Sequence, residues 1–455
     1  MSVAQRNKRP QQDRWLNGMC RLNLCLLSVL LALSPLASAL EIEPFAGAGV
    51  RFTDNAKLTE KNEDSDQILT GLVGAKITGN DGPFRANADT SLTYENYLDN
   101  TYGDKHWFNL GATAGWEMIR DRVDWGVSDY FTQTQVNNLN SDTPNNLQNT
   151  NVFSLGPNIN LPLSARQTIT LRPLFSDFYY ENSDTDNQQY GVTADWLYML
   201  RTDMKTGISG DATTVRYDKN DKNPDYSIYN LRGVVSGTRP RSEYRMEIGG
   251  TNINRDNADD QNGFSGNLDW LYNITGHSSV RAYAATDLTD SSQQFLNSRI
   301  DPGTGDYSNV QASGDVLRNK IFRLSYIRTA STLNSNIWTE FRNLDYKESP
   351  DDRKVKEIGA RLDYQVTPVV STGIYGRYDN TKQTDMNQEY KRYATGVTAS
   401  YRLSRKLSTR LNLQYRKKDS SSNNDGYTEY SAFLGLVYGI GGHTPTPSRN
   451  GYERQ

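Results

Sequence analysis

From Leu407 to Arg416 the chain reads LSTRLNLQYR: Leu407, Thr409, Leu411, Leu413 and Tyr415 share one parity, and Ser408, Arg410, Asn412, Gln414 and Arg416 the other. A period of two predicts an extended strand with one apolar and one polar face. The same pattern recurs at Ile358, Ala360, Leu362, Tyr364 and Val366, at Tyr393, Thr395, Val397, Ala399 and Tyr401, and at Phe264, Gly266, Leu268, Trp270 and Tyr272. Read along the whole chain, the pattern predicts twenty strands between residues 41 and 440, with eighteen as the nearest alternative. Most run longer than the five or six residues usual in soluble proteins. A tilted transmembrane strand needs roughly 9–11 residues. The stretch 203–217 switches parity midway and predicts a bulge.

The connections alternate in size. Short ones such as GNDG, IRDR, LSAR and LSRK separate long polar ones such as TDNAKLTEKNEDSD, VNNLNSDTPNNLQN and NSRIDPGTGDYSN. Short turns on one rim and long loops on the other are the pattern of bacterial outer-membrane barrels. The expected fold is therefore all-β: a single closed antiparallel transmembrane barrel with short periplasmic turns. The loops at 53–65, 137–148 and 290–312 are the longest, and the residues do not say which of them folds inward. Aromatic residues recur before the short turns (Trp116, Trp196, Tyr198, Trp270, Tyr272, Tyr326, Tyr364, Tyr401) and before the long loops (Tyr97, Tyr130, Tyr179, Tyr217, Tyr346, Tyr378, Tyr415). Two girdles at the two headgroup levels would produce such series.

Composition changes this picture at the ends. Residues 1–39 read as a cleaved export signal: Arg6, Lys8, Arg9, Arg14 and Arg21 precede the apolar LNLCLLSVLLAL, and Ala37-Ser38-Ala39 is the small-x-small site. Residues 40–440 are then the barrel and 441–455 a periplasmic tail. Both cysteines, Cys20 and Cys25, fall in the signal, so the barrel has no thiol chemistry. The signal also removes five of the 50 Lys/Arg and one of the 53 Asp/Glu, leaving a formal charge of −7 and no argument for nucleic-acid binding. No apolar run beyond it is long enough for a membrane helix.

Candidate chemistry is sparse. His106, His277 and His443 are far apart and predict no metal site. No nucleophile elbow or phosphate-binding loop is present, so no catalytic residue, metal or cofactor is expected. Carboxylate groups such as NADD and SPDD lie on loops, where solubilising charge is the simpler role. The polar strand parity instead nominates a lumen wall: Arg232, Arg245, Glu247, Asp269, Arg323, Arg361, Asp363, Tyr375, Arg377, Arg392, Arg402, Arg410 and Arg416. An arginine-rich wall could guide an anionic glycan, with Tyr375 stacking on sugar rings. The alternative is that these residues only hydrate the lumen and pair across strands.

The start, EPFAGAGVRFTDNAKLT, with Phe52, Asp54 and Asn55, resembles the opening of the beta-barrel porin type 2 family. The closing hairpins are similar to that family's ending: a Tyr-x-Leu-Ser turn, a strand ending in Tyr-Arg, a Ser/Asn/Asp loop and a Gly-containing last strand. The resemblance implies an outer-membrane channel for exopolysaccharide, working beside a periplasmic polysaccharide export protein, without catalytic residues. A general or substrate-specific diffusion porin and, behind it, an outer-membrane enzyme are the competing functions. Gly435, Tyr438 and Ile440 fit the signal read by the barrel-assembly machinery. Outer-membrane lipid is the expected surroundings.

Overall fold

The computed structural model describes residues 40–137, 139–220, 223–256, 259–290, 315–422 and 425–439. The proposed signal and tail lie outside these residues. The first five hairpins pair β1 (Leu40–Thr53) with β2 (Asp66–Asp81), β3 (Phe84–Tyr97) with β4 (Lys105–Ile119), and β5 (Val123–Gln135) with β6 (Leu147–Ser164). They continue with β7 (Gln167–Tyr180), β8 (Asn187–Arg201), β9 (Met204–Tyr217) and β10 (Tyr226–Arg239). The second half comprises β11 (Ser242–Arg255), β12 (Gln261–Thr275), β13 (Ser278–Thr289), β14 (Leu317–Arg328) and β15 (Leu333–Tyr346). It ends with β16 (Arg353–Thr367), β17 (Val370–Gln383), β18 (Gln388–Arg402), β19 (Leu407–Ser420) and β20 (Tyr427–Gly439).

Each strand pairs antiparallel with the next, and β1 pairs with β20 over Phe45–Thr53 and Ser431–Gly439, so the 20-stranded sheet closes on itself. Closure satisfies the backbone donors and acceptors that an open sheet would leave bare in hydrocarbon. The Asp-Asn pair near the start ties this seam. Asp54 accepts the Tyr430 N–H at 2.8 Å, and the Asn55 amide donates to the carbonyls of Thr428 and Thr59 at 2.9 and 2.7 Å.

Side-chain exposure separates the two faces. Leu411 and Leu413 of β19, Ile374 of β17 and Leu434 and Leu436 of β20 are large apolar residues left in the open, on one parity. Their neighbours Asn412, Tyr375 and Arg377 are buried. In a closed barrel only the outer surface can carry an uncovered apolar belt, and that belt identifies the lipid face. The molecule is an outer-membrane β-barrel. With both strand termini on the rim of the short turns, that rim is periplasmic.

Two details of the pattern resolve differently from the sequence reading. β9 runs without a bulge: its pairing with β10 is continuous from Tyr226↔Val215 to Gly237↔Met204. The apparent switch arises because Val215 and Tyr217 face inward and pack with Tyr226, Ile228, Ile253, Leu288 and Val316 in an apolar cluster. The register irregularities sit instead at periplasmic strand ends, such as Asn273/Thr275, Gln365/Thr367 and Pro162/Ser164.

The second correction concerns the upper aromatic series. Tyr97 and Tyr217 are buried on the inward parity, and Tyr346 is half-buried on the same side. The outer girdle on this rim is made by Phe52, Tyr94, Tyr190, Tyr229, Phe264, Phe341, Tyr393 and Tyr430, with Tyr378 and Tyr415 in tilted ring contact with Tyr393 and Tyr430 at centroid distances of 4.9 and 5.0 Å. The periplasmic girdle is as read, with Trp116, Trp196, Trp270, Tyr364 and Tyr401 exposed on the lipid face.

Several long loops close by one local rule. An aspartate placed immediately before the next strand accepts the N–H at the end of the preceding one: Asp186 from Tyr180 at 2.7 Å, Asp225 from Tyr217 at 2.8 Å and Asp352 from Tyr346 at 2.7 Å. Burial, the largest influence, pushes the Asp186 carboxyl from 3.8 up to about 6; the Tyr180 hydrogen bond opposes this, while Asp218 and Asp177 add to it. A carboxyl with a raised folded-state pKa favours the closed loop while protonated, so closure is strongest below the ordinary pKa and weakens as pH rises through about 6. In Asp186→Asn this pH dependence is expected to vanish, as read by limited proteolysis of residues 181–186 across that range. An unchanged proteolysis profile in the variant would assign the dependence elsewhere.

Candidate functional site

All thirteen residues nominated for the lumen lie on the parity opposite the exposed apolar belt, as the alternation in each strand requires. The structure groups most of them into ion pairs. Arg323 lies directly across from Glu340, with the charged atoms 3.4 Å apart, and Arg392 from Asp379 at 2.8 Å. Arg377 reaches Glu357 at 2.8 Å, and Trp338 donates to the same carboxylate at 2.6 Å. Arg232 bonds Asp211 at 3.1 Å and Ser265 at 3.2 Å, with Glu247 and Asp287 nearby. Arg245 pairs with Glu247 at 2.6 Å, Asp269 with Arg281 at 2.7 Å, and Arg361 with Asp363 at 2.8 Å.

The wall is therefore a lattice of opposite charges rather than an arginine lining. Asp211, Asp287, Glu340, Glu357, Asp379 and Glu429 were missed as partners. Glu340, Asp379 and Glu429 stand directly across from Arg323, Arg392 and Arg416, a relation that appears only once the strand register is known; the others reach their arginine diagonally or across the lumen. Such pairs consume the arginines' capacity to bind a passing anion. Tyr375 also fails as a stacking platform. It is 6% exposed, and its ring lies over Gly396, where an added Cβ would meet the phenol oxygen at 2.5 Å. Trp338 covers Gly359 and Phe433 covers Gly49 in the same way. Glycine is needed at these positions because only a missing side chain lets the ring lie flat on the wall.

Burial changes along the barrel axis. On the extracellular half the inward residues are covered: Ile68, Val152, Phe178, Val215, Ile253 and Gln383 are almost fully buried. On the periplasmic half, inward Asn87, Asp89, Lys205, Thr238, Glu243 and Gln365 are exposed. The interior is a vestibule, open toward the periplasm and filled toward the outside.

Among the described residues, two features fill the outer end. One is the β9–β14 apolar cluster described above, to which Arg255 on β11 adds an ion pair with Glu348 of the β15–β16 loop at 2.5 Å. The other is the β5–β6 loop, one of the three long loops singled out in the sequence; of these, 290–312 lies outside the described residues beyond Asp290. β4 and β5 stop pairing beyond Leu110↔Phe131, while β5 and β6 stay paired up to Gln135↔Leu147 and carry the loop above the end of the β4 ladder. The loop is braced internally: Asn146 donates to the carbonyls of Asn137 and Ser141 at 2.8 and 3.0 Å, and the 3₁₀ turn Pro144–Asn146 ends it. Its tip reaches β19, from which it is separated along the wall by β20, β1, β2, β3 and β4. There Asp142 pairs with Arg416 at 3.1 Å, and Lys418 donates to the Leu139 carbonyl at 2.6 Å. Arg416 is held from behind by Glu429, which also accepts from Thr53 at 2.8 Å, and Lys418 by Asp425 at 2.8 Å. The loop thus spans the mouth and is anchored at both ends.

Arg402 is exposed at the periplasmic end of β18, and Arg410 lies part-exposed low on β19. Among the described residues no group of three or more His, Cys, Asp and Glu is placed to hold a metal ion.

No protein-family model matches this chain, and no curated protein does. The resemblance to the porin type 2 family therefore stands on the residues of the two ends. Among solved structures, the chain is similar to the copper transporter OprC, with 8% identity over 88% of this chain and 80% of that one, at a TM-score of 0.46. The FrpB iron transporter from Neisseria meningitidis (F5-1 variant) is matched with 9% identity over 89% and 83%, at 0.47. OccK2 (OpdF) of Pseudomonas aeruginosa is matched with 8% identity over 88% and 98%, at 0.37.

Proposed function

We propose that this barrel is an outer-membrane channel that passes a nascent exopolysaccharide from the periplasm to the cell surface, with no chemistry of its own. The observation that carries the proposal is the polarity of the lumen: a vestibule of exposed polar side chains faces the periplasm, and a pinned loop and an apolar cluster close the outer end. A polymer delivered from inside would enter before meeting the closure, whereas a solute arriving from outside meets the closure first. A general diffusion porin gains nothing from a filled outer mouth, so that reading is second. The resemblance of the chain ends to the porin type 2 family supports the same direction and implies a periplasmic export protein as partner.

Deleting the gene is expected to remove or strongly reduce surface polysaccharide while polymer synthesis continues, measured by staining intact cells and assaying periplasmic carbohydrate. Unchanged surface polysaccharide, or a defect limited to uptake of small solutes, would replace this reading with the porin.

A further inference from the structure

The two rims of the barrel differ in charge. The long extracellular connections carry about four acidic side chains for every basic one, whereas the short periplasmic turns carry about three basic for every acidic one. Pairing differs in the same sense. Near the outer mouth the inward cations Arg377, Arg392, Arg416 and Lys418 each hold a carboxylate. At the periplasmic end Arg122, Arg166, Arg241, Arg402, Arg405 and Lys406 are exposed and, among the described residues, have no carboxylate within ion-pair distance. At the same level Arg85, Arg120, Arg201 and Arg239 pair with Asp124, Asp121 and Asp203, and Glu41, Glu43, Glu117 and Glu243 add negative charge, so the collar is net positive rather than uniformly so.

We propose that this collar selects the cargo at entry, and that the cargo is a polyanionic glycan. The inference rests on the export reading above. Unpaired guanidinium groups around the open end of a low-dielectric tube focus a positive potential into it and raise the local concentration of anions. Arginine also binds carboxylate and phosphate through paired N–H donors, the groups such a glycan carries. The ion-paired wall that follows offers no competing trap, and the acidic outer rim repels the emerging chain. Entry is favoured at one end and retention is disfavoured at the other. Phospholipid phosphates are the other anions near this rim, and the test separates them by using a soluble probe in detergent.

The mature barrel in detergent micelles is titrated calorimetrically with a short oligogalacturonate and with a maltooligosaccharide of equal length. The acidic oligomer is expected to bind about tenfold or more tightly than the neutral one, with the difference falling as salt is raised. Joint substitution Arg122→Glu, Arg166→Glu, Arg241→Glu and Arg405→Glu is expected to abolish the preference; Arg→Gln at the same positions should halve it or more if the reversed variant does not fold. Equal binding of the two oligomers, absence of binding, or a preference untouched by the substitutions overturns the proposal. In a deletion strain, full restoration of surface polysaccharide by the charge-reversed barrel also overturns it, yet leaves export intact. Surface polysaccharide that survives deletion itself removes the export reading instead.

Discussion

Excising residues 139–143 and joining the ends with two glycines is expected to open the barrel. In planar bilayers the single-channel conductance should rise several-fold over the intact protein, and cells should become permeable to antibiotics too large for ordinary porins. The expectation follows from the anchoring: the tip's hold on β19 is Asp142 on Arg416 and the Leu139 carbonyl on Lys418. Excision is a cleaner test than truncating Arg416. Removing that guanidinium would leave Glu429 and Asp142 in a covered site without their partner, which typically costs about 3–5 kcal/mol. After excision Arg416 keeps Glu429 and Lys418 keeps Asp425, so the wall itself is preserved. Conductance equal to that of the parent barrel would show that the apolar cluster between β9 and β14 closes the mouth unaided. The gate would then have to be sought there.

Leu411→Arg should destabilise the barrel by about 2–4 kcal/mol, as expected for a guanidinium at the bilayer midplane. Leu411 stands midway along β19 on the lipid face, 38% exposed, opposite Ala399 and Leu434. Ser408→Arg, on the other parity of the same strand, enters the open periplasmic half of the lumen and is expected to change stability by less than about 1 kcal/mol. Equilibrium folding into phospholipid vesicles against urea measures both. Equal costs for the two substitutions would mean that the faces of β19 do not meet lipid and water, and the assignment of inside and outside would fall.

The comparison of these two arginines contains most of what was legible in advance. The alternation of Leu407–Arg416 fixed which side chains share a face, and the alternation of loop lengths fixed which rim each strand end reaches. The strand read at 41–52 runs Leu40–Thr53 and that read at 406–417 runs Leu407–Ser420; the largest shift is four residues, where 369–379 extends to Gln383. The periplasmic aromatic girdle was equally readable, because near the short turns parity and aromatic identity coincide. At the other rim they do not: Tyr97, Tyr217 and Tyr346 stand at the right distance along their strands but on the inward parity, and position alone misassigned them. The Asp54-Asn55 pair that carried the family resemblance has a structural task, tying the first strand to the last.

The candidate site was legible as a wall but not as a mechanism. The nominated arginines lie on the parity opposite the apolar belt, yet several find their carboxylate on a neighbouring strand, and the register between strands is needed to see that Arg323 meets Glu340 or Arg392 meets Asp379.

Sequence alone determined the local terms of this protein: strand, turn and which parity is apolar, since each depends on neighbours a few residues apart; closure settled the strand number at twenty rather than eighteen. Tertiary structure decided what only closure can decide: which carboxylate neutralises which guanidinium, which tyrosines turn inward, and which loop crosses the mouth. Asp142 and Arg416 are 274 positions apart in the chain and 3.1 Å apart in space. No period in the sequence encodes that contact, because it exists only once twenty strands have bent into a ring and brought β5 opposite β19.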